Sequence, residues 1–358
     1  MERRNLIIFS FLLFLLFYSQ TGFSNDIDSL IHRGIELSIT HDYAEAESIF
    51  AQIISGYPNQ PVGYFFMAAT IQAKIMDFES DKWDKDFHYF IQLAISSAEK
   101  QHAEQPEECL SLFYQGSALS YLAFYNGRKK EYISALRNAV AGISKLKKVS
   151  KTTPDFIDVY FGLGSYKYWR SHATRHLNWL PLLSDDRLEG IHMVQRAVEN
   201  GRYTRYAAMN ELIWMLLDAG RTGEAFSWAL RGLGKFPASR FFLWGAAKSA
   251  LALGNFSDAE QYFVQLLNSI TAEPLNNGYN EYVCRINLAE IFFEQKEYRR
   301  AANQIEKLSS MVLSPPMKKK LKGQLDRAAQ LNKKLSKIAS QSNSSISEDQ
   351  ITDEQRSE

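Results

Sequence analysis

Residues 206–237 read YAAMNELIWMLLDAGRTGEAFSWALRGLGKFP, and residues 240–267 read RFFLWGAAKSALALGNFSDAEQYFVQLL. Apolar residues recur in each at three- and four-residue intervals on both sides of a central glycine, so each stretch predicts two helices joined by a tight turn. Placing Ala225 over Ala259 gives an offset of 34 residues. At that offset Leu212 meets Ala246, Leu216 meets Ala250, Ala229 meets Phe263, and Gly220 meets Gly254. A small residue at Ala225 and Ala259 lets the second helix of a pair approach the first. The aligned glycines end the first helix where a positive φ would make a Cβ costly. Pro237 closes the first unit. One such helix pair has too little apolar surface to fold alone, so the pairs are expected to stack and bury a continuous core.

Working outward, the same pattern recurs. Residues 27–58 carry Gly34, Ala46, Phe50 and Pro58 at the matching small, apolar and closing positions. Residues 61–104 continue as helices around a charged connector, Asp77 to Asp86, and residues 106–149 supply a pair with Gly116 in register and Gly127 at the break. The last clear pair runs from Tyr282 to Leu308, beyond a loop from Glu273 to Asn280, and Pro315 and Pro316 stop it. The 34-residue period is that of the tetratricopeptide (TPR) repeat, and the chain resembles that family over roughly residues 27–310. The expected fold is therefore all-α: a right-handed TPR-like α-solenoid of about seven units over residues 25–316.

Residues 154–201 form the least regular repeat. A helix with Tyr160, Gly164, Tyr166, Tyr168 and Trp169 is followed by SHATRHLNWLPLLSDDR, too long for a repeat turn and interrupted by Pro181. Here the sequence resembles a group of exported bacterial TPR proteins and is distantly similar to the tetratricopeptide repeat protein 39 and inclusion-body-clearance family. The residues that carry the likeness are Leu163, Gly164, Tyr166, Leu180, Pro181, Leu183, Asp186, Arg187, Gly190 and Gly201. The resemblance implies an α-solenoid without catalytic activity and leaves its ligand undefined. The apolar cluster around Trp179 is expected to be packed against the solenoid, because exposed it would be a sticky patch.

The ends differ from the middle. Residues 1–24 read as a signal peptide: Arg3 and Arg4 precede an apolar run from Leu6 to Tyr18, and Gly22 and Ser24 suit cleavage after Ser24. Export to a periplasmic or cell-envelope location follows, with an uncleaved membrane anchor as the alternative. Residues 317–340 predict a basic capping helix with Met317, Leu321, Leu325, Ala328, Leu335 and Ile338 on one stripe and lysines elsewhere. A solvated cap face is the expectation there, and peripheral membrane contact the alternative. Residues 341–358, rich in serine and acids, are expected to form a disordered tail.

With a formal net charge of +1 over 358 residues, no global field points to nucleic acid. Two cysteines, Cys109 and Cys284, cannot make a disulfide framework. No phosphate-binding loop, serine-hydrolase elbow, HExxH or CxxC motif is present. His172 and His176 lie four apart on one helix face, but Arg170 and Arg175 beside them would repel a cation, so no metal is expected. Asp185 and Asp186 suit a helix start near Arg187 better than a catalytic pair. No cofactor is expected. In TPR proteins one row of each first helix faces the concave surface. By that likeness the groove set here is Phe161 and Tyr168, then Asn210 and Trp214, then Phe241, Trp244 and Lys248, with Asp158, Ser165, Ile286 and Glu290 in the same rows. Rings with a few orienting donors suit a peptide, and a groove lysine is expected to carry little packing. The expected function is a non-enzymatic exported scaffold for a protein or peptide partner, in the setting of cell-envelope assembly. The alternatives are a small-ligand or glycan-binding solenoid, or an enzyme using the 170–187 insertion.

Overall fold

The structure, a computed structural model, describes residues 26–174 and 184–354, with side chains as far as Gln341. Residues 1–24, expected as a signal peptide, and the insertion residues His176, Leu177, Trp179, Leu180, Pro181, Leu182 and Leu183 lie outside the described residues. The rest is helix and short turns. Among the described residues the helices are α1 (26–40), α2 (Tyr43–Gly56), α3 (Pro61–Phe78), α4 (Asp84–Glu104), α5 (Cys109–Arg128), α6 (Tyr132–Thr152), α7 (Val159–Thr174) and α8 (Arg187–Asn200). They continue as α9 (Arg205–Asp218), α10 (Thr222–Lys235), α11 (Arg240–Ala252), α12 (Phe256–Thr271), α13 (Tyr279–Glu294), α14 (Tyr298–Ser310), α15 (Pro315–Lys320) and α16 (Lys322–Glu354). Taken two at a time, α1 to α14 give seven antiparallel pairs. The chain divides into two compact units, Met1–Phe241 and Phe242–Glu358.

The repeat register holds. Ala225, Ala229, Leu212, Ala246, Ala250, Ala259 and Phe263 are all fully buried. Gly220 and Gly254 have φ of 74° and 72° at the turns between paired helices. His41, Lys130 and Lys296 hold the same left-handed conformation at the corresponding turns without being glycine. In the third and fourth pairs the crossing is tighter still. A Cβ on Gly116 would stand 2.9 Å from the Gly142 carbonyl oxygen, and one on Gly164 would stand 2.7 Å from that of Gly190. Backbone meets backbone at both crossings, so Gly164 and Gly190, two of the residues that carry the family resemblance, have a packing reason to be glycine.

At the C-terminal end the expected capping helix is broken at Leu321 into α15 and α16; Ser314 caps the first, its hydroxyl accepting from the Met317 backbone N–H. α16 runs to Glu354. Among the described residues no helix is long and apolar enough to cross a membrane.

The first unit closes on itself. Tyr203, in the turn before α9, donates to Asp28 of α1 at 2.7 Å, and Arg202 pairs with the same carboxylate at 2.8 Å. The Tyr203 ring also meets His32 edge-on at 5.5 Å and Phe66 of α3 at 5.9 Å. Asp158, fully buried, accepts from the backbone N–H groups of Arg202, Tyr203 and Thr204 and from the Thr204 hydroxyl. This makes Asp158 the clamp of that turn; it was expected in the groove.

Candidate functional site

Two sets of polar side chains stand out, and only one of them is open. The closed one joins α1–α3 to the start of α11. Arg240 donates from Nε to Asp77 at 2.8 Å and forms a second bond from its guanidinium to the other carboxylate oxygen. Tyr43 donates to Asp77 at 3.1 Å, and His41 Nδ1 lies 3.3 Å from it. The Arg240 backbone N–H donates to His41 Nε2 at 2.7 Å, which fixes the ring proton on Nδ1. Ser239 donates to the Ile39 carbonyl. Side-chain exposures of 4% for His41, 2% for Asp77 and 5% for Arg240 exclude substrate. Burial raises the Asp77 carboxyl pKa, but the hydrogen bonds from Arg240 and His41 outweigh it and bring it down to about 2. The histidine, aspartate and arginine therefore form a structural clasp. Asp77 was expected in a solvated connector; it ends α3 inside the protein instead.

The open set lies on α5, α7 and α9. Trp169 of α7, 37% exposed, donates from its indole to Glu211 of α9. Burial raises the Glu211 pKa against that bond. Tyr121 of α5 is raised to about 12, by burial first and then by the Glu211 charge. Phe161 and Ser165 lie on α7 two turns and one turn before Trp169, and Asn210 and Trp214 flank Glu211 on α9; all four are partly buried. The Ser165 hydroxyl and Asn210 Oδ1 are inaccessible to solvent and have no hydrogen-bond partner among the described residues. The patch thus combines rings with oxygen acceptors around one carboxylate.

Tyr168 does not belong to this patch. It is fully buried and donates to the Met215 carbonyl and to Asp218, so it packs the fourth pair onto the fifth. In the least regular repeat it is the neighbouring Trp169, not Tyr168, that is exposed. Phe241 is partly buried with its ring 4.9 Å from that of His41, beside the clasp.

In the second unit Trp244 is partly buried, edge-on to Phe263 at 6.1 Å. Lys248 donates to Asn287 Oδ1 at 3.1 Å. Burial and then the Arg327 charge push its pKa down. Arg327 itself pairs with Glu290 and reaches Asn287. Lys248 is thus committed to an internal polar cluster, contrary to the expectation that it carries little packing. Ile286, placed in the groove row, is fully buried.

The remaining candidates have structural partners. His172 pairs with Asp218 at 2.8 Å. Arg187 grips Asp185, and Ser184, Lys167 and Arg170 surround Asp186; both carboxyls are held below the ordinary range, chiefly by the hydrogen bonds from Arg187 and Ser184 respectively. A general acid needs the opposite shift. Asp186 stands at the N-cap of α8 as expected, but its side chain makes no capping bond. Burial pushes the Cys284 thiol well up. Among the described residues no group of three metal-ligating side chains comes together. A cleft of 210 Å³ between His32, Glu36, Arg202, Arg205 and Tyr206 is smaller than the roughly 300 Å³ at which enclosing small-ligand sites begin.

The clasp and the Trp169–Glu211 bond had no sequence signal of their own. Asp77 and Arg240 are 163 residues apart, and Trp169 and Glu211 are 42 apart.

No known family's sequence profile matches the chain, and no curated protein matches it in sequence. Solved structures do resemble it in fold. The Cut9–Hcn1 hetero-tetramer of the APC/C is similar over 78% of this chain at 14% identity, with a TM-score of 0.51; the chain spans 45% of the length of that neighbour. PilW, a type IV pilus biogenesis factor, is similar over 70% of this chain and 99% of its own at 15% identity, with a TM-score of 0.46. A thermophilic TPR protein of Thermus thermophilus is similar over 63% of this chain and 98% of its own at 16% identity, with a TM-score of 0.40. The helix pairs, their 34-residue register and the first of these likenesses together make the chain, by fold, an all-α TPR-like solenoid.

Proposed function

We propose that the protein is a non-enzymatic scaffold whose α5–α7–α9 patch takes a segment of a partner protein. The observation that carries this reading is the set of part-buried rings, Phe161, Trp169 and Trp214, on α7 and α9 with the Glu211 carboxylate among them. A bound peptide covers such rings with its own side chains. Glu211 adds a negative charge, so the favoured segment carries a lysine or arginine. The Arg3-Arg4 start and short apolar run support delivery of this scaffold to the cell envelope.

The test is a photo-crosslinking amino acid placed at position 161 or 214 of the full chain in its native host. Discrete adducts with one protein, weakened about thirtyfold by Asn210→Leu or Glu211→Lys, support the reading. Absence of adducts at both positions, or adducts indifferent to those substitutions, refutes it.

A further inference from the structure

α6 presents an unusual face. Its first nine residues put Tyr132, Ile133, Leu136 and Val140 into solvent, at 68%, 89%, 63% and 53% exposure. The same helix contains Arg137, Lys145, Lys147, Lys148 and Lys151 and no acidic residue, the nearest being Glu131 at its N-cap. None of these five cations makes an ion pair among the described residues. At 100° per residue, the four apolar positions fall with Arg137, Lys147, Lys148 and Lys151 in one arc of about 160°. The opposite side, Asn138, Gly142, Leu146 and Val149, is buried against the protein, and Ile143, near the Tyr132 edge of the arc, is buried with it. The positive field reaches neighbouring helices: His102 of α4 is lowered by burial and then by Lys148 and Lys145.

We infer that α6 is a docking face for an anionic lipid surface, with Tyr132, Ile133, Leu136 and Val140 entering the headgroup boundary and the lysines lying on the phosphates. Charge complementarity selects this occupant. A second copy meeting the same face would bring two sets of five cations together with no acidic residue in either helix. A nucleic acid would use the cations but has no place for three exposed aliphatic side chains around a single ring. An interfacial helix uses both features, with apolar residues inserted about 5–10 Å and basic residues held by the negative surface potential. This face lies on α6 and is independent of the α5–α7–α9 patch.

The test uses the full chain carrying Cys109→Ser and Ile133→Cys, labelled with a polarity-sensitive fluorophore. Cys284, fully buried, stays unlabelled in the folded protein. Vesicles of phosphatidylcholine alone are compared with vesicles in which one lipid in three is phosphatidylglycerol. The expected result is a blue-shifted, brightened emission with the anionic vesicles only. The same label at position 312, whose valine is fully exposed in the second unit, stays unshifted, which separates docking by α6 from any tethering by the N-terminus. Replacing Lys147, Lys148 and Lys151 by glutamine lowers the docking equilibrium by about a hundredfold and removes the shift. An unshifted label on anionic vesicles that sediment with the chain overturns the inference. So does an equal shift with neutral vesicles, a shift produced by single-stranded RNA without lipid, or one produced by raising protein concentration alone.

Discussion

Asp77→Asn removes one charge from the clasp and leaves its shape. At neutral pH it takes the Asp77 carboxylate away from the Arg240 guanidinium, which is 5% exposed. Breaking a buried pair from one side costs about 3–5 kcal/mol. Part of that cost depends on pH in a calculable way. The Asp77 carboxyl falls from 3.8 to about 2 on folding. A folded-state pKa below the unfolded value gives stability that is complete above the unfolded pKa and lost as pH falls through the folded one. At 1.36 kcal/mol per unit this is about 2 kcal/mol, present above pH 5 and mostly gone by pH 2. The assay is urea denaturation of the wild type and Asp77→Asn from pH 6 to pH 2, followed by tryptophan fluorescence; Trp83 lies 5.5 Å from Phe78, the residue next to Asp77. The two curves of stability against pH should converge by about 2 kcal/mol towards low pH. Replacing both partners, Asp77→Leu with Arg240→Met, should restore most of the neutral-pH loss, because no charge is then stranded. A cost below about 1 kcal/mol at pH 7, or parallel curves down to pH 2, would show that the clasp does not hold the first unit.

Three further outcomes are expected. Ala225→Leu and Ala259→Leu, both fully buried, should each lower stability by about 1–3 kcal/mol through overpacking, and a thermal melt reads this directly. Gly164→Ala should be at least as damaging, since its methyl would stand 2.7 Å from a backbone oxygen that cannot swing away; a melting temperature within a degree of wild type would mean the helices part easily there. Lys248→Glu should lower the melting temperature by several degrees, because it loses the Asn287 bond and brings a second carboxylate to the cluster containing Glu290, and differential scanning fluorimetry decides it.

The repeats were legible because their rules are local. Ala225, Ala259, Gly220 and Gly254 sit where helix pairs must touch or turn, and 34 residues of sequence carry that requirement. Helical spacing put Phe161, Tyr168, Asn210 and Trp214 in one row; in that repeat Tyr168 is fully buried and its neighbour Trp169 is the exposed ring. Asp158 and Asp77 were misplaced for a different reason. Helical register put Asp158 in the groove row and a run of charges put Asp77 in a connector, and what holds each one inside is a segment more than forty residues away.

A solenoid built from nearest-neighbour contacts can grow, lose or exchange repeats at its ends, and it can fold from any point along its length. The Ser239–Ile39 bond, spanning 200 residues, removes that freedom from the first unit. Until α11 begins to leave the ribosome, the Ile39 carbonyl in the last turn of α1 lacks its Ser239 donor, so the final fit of the first repeats waits on late synthesis. The contact order of the unit rises to that of a closed domain, with slower folding as the consequence. It also ties together pairs that would otherwise fray separately, so deletion of α1 should loosen the α9–α10 pair at the far end of the unit rather than trim one repeat from its edge.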